Sequence, residues 1–353
     1  MAMKTLRLPL VLFCVVLAAL IGLCAYILYL HAAPEPDAPV VAGATDTAPA
    51  GTPKVPQDTP APTATPALVP ALDATPAQDR QFAFVSSPFW LDGVLSSASS
   101  YRSPTLFVNV KTVVDTKHFD KRVTYYVAEI FVSDVTEIRT ESFQSDFSKK
   151  GKGDVAKMAK RSDALVAISG DYYGFHSDTL VIRNGTAYRK SLAKYGDVCL
   201  LLRDGTMETI RRNDAKLNDI LERDPWQAWQ FGPALLGENG AVRKSFPDST
   251  LNQKNPRCCI GYVEPGHYFF VVVDGRQKHS SGMTLAELSE LMHSLGCVQA
   301  FNLDGGASAH FYWNDRIFNQ PSKGGRSISD IIYIAKEGYP ASLFFHGKDR
   351  NPA

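Results

Sequence analysis

The stretch HYFFVVVD, from His267 to Asp274, constrains the fold of this chain more than any other. Successive side chains of a strand point to opposite faces. The run before the aspartate is nearly all apolar, so both of its faces must be covered by other layers. The neighbouring run Cys258–Val263 is separated from it by Glu264-Pro265-Gly266, and the two read as a hairpin. Cys258 and Cys259 then point to opposite faces of one strand. With Cys199 and Cys297 they read as buried free thiols, and one disulfide is the alternative for an exported domain.

The same punctuation recurs along the chain. Leu106–Val114 and Val123–Val132 are rich in β-branched and aromatic residues and read as strands. Ala164–Ser169 is a short buried strand that ends in Gly170-Asp171. Asn184-Gly185 and Asp204-Gly205 each divide two strand-like runs and suit type I′ turns. Asn314-Asp315 marks another hairpin, and Ile328–Ala335 is the last strand. Trp226–Leu236 reads as an extended aromatic stretch.

Helices are few. Asp154 is placed to cap a short helix to Arg161, and Ala215–Arg223 suits a second. Thr284 and Glu287 form a capping box ahead of the stripe Leu285, Leu288, Met292 and Leu295, with Gly296 as the stop. Many hairpins with few helices predict an α+β fold: a single large domain of mostly antiparallel sheets with a few packed helices.

The chain has 353 residues, but its first eighty do not read as globular. Residues 9–30, PLVLFCVVLAALIGLCAYILYL, carry no charge and are long enough to span a bilayer as a helix. Lys4 and Arg7 precede this run, and no Lys or Arg follows until Lys54. The charge bias puts the N-terminus in the cytoplasm. The reading is a cytoplasmic stub and transmembrane signal anchor over 1–33, with a cleaved signal peptide as the runner-up. Residues 34–79 are rich in Ala, Pro and Thr and read as a disordered linker. The folded domain covers 80–353, with its core at 100–336, and is expected outside the cell on a single-pass membrane anchor. A net charge of +1 gives no reason to expect nucleic acid as a partner. No Cys or His spacing suits a metal, and no cofactor motif is present.

Four polar clusters separate the later apolar runs: Asn255-Pro256-Arg257, Asp274-Gly275-Arg276, Asn302-Leu303-Asp304-Gly305-Gly306 and Gly324-Gly325-Arg326. A strand that ends in a carboxylate and then glycine delivers charge to one sheet edge and lets a ligand come close to the backbone. Asp304 and Asp274 are thus candidates for acid/base or nucleophilic work. Arg257, Arg276 and Arg326 are candidates for holding phosphate or carboxylate, because a guanidinium fork binds two oxygens at once. The plain alternatives are that Asp-Gly is only a turn and that Arg276 pairs with a carboxylate. His293, on the edge of a helix stripe, reads as structural; His310 lies near Asp304.

The ordered blocks NPRCCIGYV, VVVDGRQ, GMTLAELSELMHSLGC, FNLDGGASA and GGRSISDIIYI resemble the phosphodiester glycosidase family. These are bacterial relatives of the enzyme that uncovers mannose 6-phosphate by removing an N-acetylglucosamine cap. AISGDYYG and FGPALLGENG are similar to two further blocks of that family, and the resemblance covers roughly residues 100–336. This chain departs from the family at Ser169, Ala307, Ser308 and Asp330. The resemblance implies hydrolysis of sugar-1-phosphodiester linkages, with a phosphodiester-linked glycan of the cell envelope or exopolysaccharide as substrate. It implies Asp304 as the carboxylate at the anomeric centre, with Asp274 as acid/base or orienting partner. Arg257 and Arg276 would grip phosphate, Gly305 and Gly306 would offer backbone donors, and Asp171, Ser308 and Arg326 would complete the pocket. The competing reading is a non-catalytic envelope protein that binds anionic glycans.

Overall fold

The computed structural model describes residues 89, 93–246 and 251–336, all within one compact unit spanning residues 75–353. The expected membrane span and linker lie outside the described residues. Among the described residues, no helix is long and apolar enough to cross a membrane.

Three antiparallel sheets and three α-helices make up the described fold, as the hairpin count predicts. The largest sheet has seven strands, and His267–Val273 lies inside it between Val123–Val132 and Arg257–Glu264. Its alternating side chains enter two separate cores. Phe270 and Val272 join Cys258 and Ile260 in a core shared with the other sheets, around Val166, Ile332 and Trp229. Phe269, Val271 and Val273 face the other way and meet Leu285, Leu288 and Met292 of the helix Leu285–Ser294. Both faces are covered, as the apolar run requires. Cys258 and Cys259 fall in different cores, and all four cysteines of the domain are free and buried.

A five-stranded sheet places Ala164–Ser169 beside Phe311–Trp313 and Asp330–Ala335, and the helix Val155–Arg161 packs on it. The other five-stranded sheet carries Val181–Arg183, Gln227–Phe231 and Asp197–Leu201 at its centre, beside the helix Leu217–Glu222. Asp154 caps its helix by accepting from the Lys157 amide at 2.9 Å. Asn184-Gly185 forms the expected two-residue turn, both residues having positive φ. Asp204-Gly205 does not. Leu201 pairs with Met207, so the loop is longer, and only Gly205 is left-handed. The Gly205 amide donates to Leu202 O at 3.0 Å, which closes a wider turn before the strands pair.

The helix Leu285–Ser294 starts at the capping box read from the sequence, with Thr284 and Glu287 bonding reciprocally. Its stripe closes one face of the large sheet, so its start matters to the whole domain. Thr284→Ala should lower stability by about 1 kcal/mol. The check is a urea midpoint that falls while the slope of the transition stays the same.

Candidate active site

Antiparallel neighbours bring the end of one strand and the start of the next to the same sheet edge. Arg257 opens its strand directly opposite Val273, so Arg257 and the Asp274-Gly275-Arg276 cluster share an edge. The strand Gln299–Asn302 pairs on the other side of Arg257–Glu264, with Asn302 opposite Cys259, and delivers Asp304 to that edge. Three backbone bonds then fix this edge, two of them to segments that flank strands of the neighbouring sheet. Asp304 N donates to Gly170 O at 3.0 Å, Gly306 N to Pro256 O at 2.9 Å, and Arg326 N to Ala307 O at 3.0 Å.

These segments enclose a cleft of about 340 Å³. Arg257, Arg276, Asp304, Gly305, Gly306 and Arg326 line it, and Tyr172 and Gly232 complete another wall. Arg257 is buried, and its Nε donates to Met283 O at 2.9 Å while Nη2 donates to Gln253 O at 2.7 Å. Burial, helped by the nearby Arg276 cation, pulls its pKa down to about 10, so it stays charged at neutral pH. Arg276 does not pair with Asp274. Its Nε and Nη2 both donate to Asn255 Oδ1, at 3.0 and 2.6 Å. Among the described residues, neither Arg257 nor Arg276 forms an ion pair with a carboxylate. Two adjacent cations of this kind make a site for an anion.

Asp304 is almost fully buried, with Oδ1 3.3 Å from Arg326 Nη2. Burial pushes its pKa above the ordinary aspartate value; hydrogen bonding to Ser308 and the Arg326 charge pull against that rise. Ser308 is buried below it and accepts from Arg326 Nε, so Arg326 bridges the two. Gly306 has φ +63°, and a Cβ on Gly305 would lie 2.8 Å from Pro256 O. The turn therefore needs both glycines. The Gly306 amide points to Pro256 O, so it is not the substrate donor that the sequence suggests.

Two expected site residues lie elsewhere. Asp274 does not line the cleft. Its carboxylate accepts from Tyr126 Oη at 3.1 Å, Asn319 Nδ2 at 2.9 Å and the Gln320 amide at 3.2 Å. His279 Nε2 lies 3.0 Å away. These bonds fix the Asp274 carboxylate outside the cleft, two residues before Arg276. Asp171 is also buried and accepts from the Tyr173 and Gln230 amides, each at 3.0 Å.

The residue that sequence reasoning missed is Arg183. It is fully buried, with Nη2 2.9 Å from Asp171 Oδ1 and Nε 2.9 Å from Asp330 Oδ2. Burial disfavours its charge, but the two carboxylates outweigh that and hold its pKa above the ordinary value. Burial, helped by the nearby Asp171 and Asp304 charges, raises the pKa of Asp330 to about 7 against the pull of Arg183. Asp330 Oδ1 is buried without a hydrogen-bond partner, against Gly170, where a Cβ would lie only 2.3 Å from it. The one sequence signal was an arginine closing the apolar strand Val181–Arg183, two positions from the buried Val181.

His310 keeps its proton on Nδ1, which donates to Ser308 O at 2.8 Å. It faces a neighbouring depression of about 370 Å³ that shares Arg326 with the cleft. His293 Nδ1 bonds Gly240 O at 2.9 Å, which is the structural use expected of it. Among the described residues, no group of three or more His, Cys, Asp or Glu could hold a metal ion.

Replacing Arg183 with methionine would leave two carboxylates buried without their cation. Arg183→Met should cost about 3 kcal/mol or more of stability near pH 8. The loss should shrink toward pH 5, because Asp330, whose pKa is raised, then takes up a proton. Chemical denaturation at the two pH values checks both the size and the direction.

Residues 162–335 match the family model for phosphodiester glycosidase, and this stretch contains every cleft-lining residue named above. The SPbeta prophage-derived uncharacterized protein YomE of Bacillus subtilis is 30% identical over 200 residues, covering 54% of this chain and 31% of that protein. Human N-acetylglucosamine-1-phosphodiester alpha-N-acetylglucosaminidase is 25% identical over 186 residues, covering 48% of this chain and 35% of the human protein. The chain thus spans about a third of the length of these relatives. The catalytic domain of the zebrafish N-acetylglucosamine-1-phosphodiester alpha-N-acetylglucosaminidase, auto-inhibited by its pro-peptide, superposes with a TM-score of 0.55 at 22% identity. That match covers 66% of this chain and 84% of the zebrafish chain, and it shows a shared fold.

Proposed function

From the match of residues 162–335 to the phosphodiester glycosidase family model, we propose that this chain hydrolyses sugar-1-phosphodiesters on the sugar side. One observation carries the reading. Asp304, a buried carboxylate, shares a cleft with Arg257 and Arg276, two guanidinium groups without carboxylate partners among the described residues. A phosphodiester supplies the negative charge that those arginines lack, and its anomeric carbon is the electrophile that a carboxylate serves.

In this reading the bond between the anomeric carbon and the bridging oxygen breaks, and the phosphate monoester leaves with the electron pair. The buried Arg257 and the exposed Arg276 neutralise that departing charge. Asp304 faces the oxocarbenium-like centre, as nucleophile or as base for the water that adds to it. Arg326 fixes the Asp304 carboxylate, and Asp274 holds the Arg276 loop from behind. The names of the vertebrate relatives make N-acetylglucosamine-1-phosphodiesters the first compounds to assay, and glycans of the cell envelope or exopolysaccharide the proposed natural class. The proposal also keeps the uncharged run at 9–30 as a membrane anchor with the domain outside. Protease added to intact cells would then degrade the domain, and its survival would contradict the anchor.

A panel of sugar-1-phosphodiesters tested on the soluble domain from about residue 80 should show release of free sugar. Asp304→Asn should lower kcat on the order of a thousandfold with the fold intact. Arg276→Ala should lower kcat/KM by roughly a hundredfold. Full turnover by folded Asp304→Asn would defeat the assignment. Binding of the diesters without release by the wild type would favour a glycan-binding envelope protein instead.

The pH profile gives an independent check. Asp304 works as a carboxylate, so activity falls as pH drops through its raised pKa. Arg326 pulls that pKa down. Arg326→Gln removes the pull, so the acid limb of kcat/KM should move to higher pH. A limb that stays in place, or moves down, would contradict the role given to Asp304.

A further inference from the structure

Among the described residues that line the cleft, one is aromatic, and it takes no part in the steps above. Tyr172 lines the cleft together with Gly232. The Tyr172 ring stacks on Phe231, with centroids 4.5 Å apart and 18° between the planes. His176 packs on the same Phe231 ring at 4.4 Å, and Tyr195 at 5.7 Å. Phe231 itself is buried, whereas Tyr195 is 57% exposed. Phe231 also has φ +84°, a backbone state that bulky residues avoid and that persists only where the surroundings enforce it. The next residue, Gly232, has φ +54°, and a Cβ there would lie 2.7 Å from the Phe301 ring. The stack is thus fixed from behind by a backbone with little freedom.

Asp304 lies in a segment bonded to both sides of the cleft. Its amide is bonded to Gly170 O, two residues before Tyr172, while the Gly306 amide two residues on is bonded to Pro256 O, beside Arg257. A substrate whose reacting carbon sits at Asp304, with its phosphate on Arg257 and Arg276, extends its other half toward Tyr172. In a sugar-1-phosphodiester, that half is the pyranose ring. The C–H faces of a pyranose are apolar and flat, and an aromatic face held by a neighbour suits them.

We propose that Tyr172, backed by Phe231, is the platform on which the pyranose ring of the substrate lies. The inference rests on the proposed function for the position of the reacting carbon. It makes the sugar ring, and not the group beyond the phosphate, the part of the substrate that this wall selects.

The test compares Tyr172→Leu, which keeps apolar bulk but loses the flat face, with Tyr172→Phe, which keeps the face. The probes are methyl glycosides of glucose and N-acetylglucosamine, and separately inorganic phosphate, with binding followed by ligand-observed NMR. Tyr172→Leu should weaken glycoside binding about tenfold and leave phosphate binding unchanged. Tyr172→Phe should restore glycoside binding, and the KM for a cleaved diester should follow the same order with kcat changing less. Glycoside binding equal in the wild type and Tyr172→Leu, or absent from the folded wild type, would overturn the platform and leave the hydrolase reading standing. Glycoside binding that depends on Tyr172, in a folded protein that cleaves no diester, would uphold the platform and remove the hydrolase reading.

Discussion

A guanidinium group with no access to water must be paired, and Arg183 is paired twice. It lies between Asp171 and Asp330, so one residue of a five-stranded sheet is joined to the strand Asp330–Ala335 of another and to the loop that follows Ala164–Ser169. Removing a charge from water costs several kcal/mol, and only close, well-oriented partners offset that. The positions of Gly170 and Asp171 follow from this pairing. The Asp304 amide then bonds the Gly170 carbonyl, so the proposed reacting carboxylate is held indirectly by an ion cluster that it does not join.

Charge is handled differently at two depths. Below the cleft, Arg183 has two carboxylates, and Asp330 stays strained between burial and its cation. In the cleft, the partners of Arg257 and Arg276 among the described residues are carbonyl and amide oxygens. Dipoles orient those two arginines without cancelling their charge. An anion can therefore gain from both, which it could not do if Asp274 paired with Arg276. The bonds that Asp274 makes with Tyr126, Asn319 and Gln320 leave Arg276 open to the cleft.

Much of the fold was legible because it is written locally. The run HYFFVVVD required two covering layers, and the capping box at Thr284 and Glu287 marked a helix start that the structure keeps. Asn184-Gly185 specified its own turn, because positive φ at both positions depends on those two residues alone. The similar dipeptide Asp204-Gly205 did not, because register with Met207 fixed a longer loop. The candidate site was legible in part. Asp304 ends an apolar run, Arg276 and Arg326 follow glycines, Arg257 opens a strand, and all four meet in one cleft. Arg183 escaped notice because its partners are distant in sequence: it is 12 residues from Asp171 and 147 from Asp330. The destination of Asp274 was hidden for the same reason. A strand-end carboxylate looks alike whether it faces a substrate or a neighbouring loop.

The central claim is that the arginine-bound phosphate leaves and the sugar carbon is attacked. Hydrolysis in water enriched in heavy oxygen tests this directly, with mass spectrometry of both products. The account predicts the label in the hydroxyl at the anomeric carbon of the released sugar and none in the phosphate. Label in the phosphate would mean attack at phosphorus, and the role given to Asp304 would be wrong.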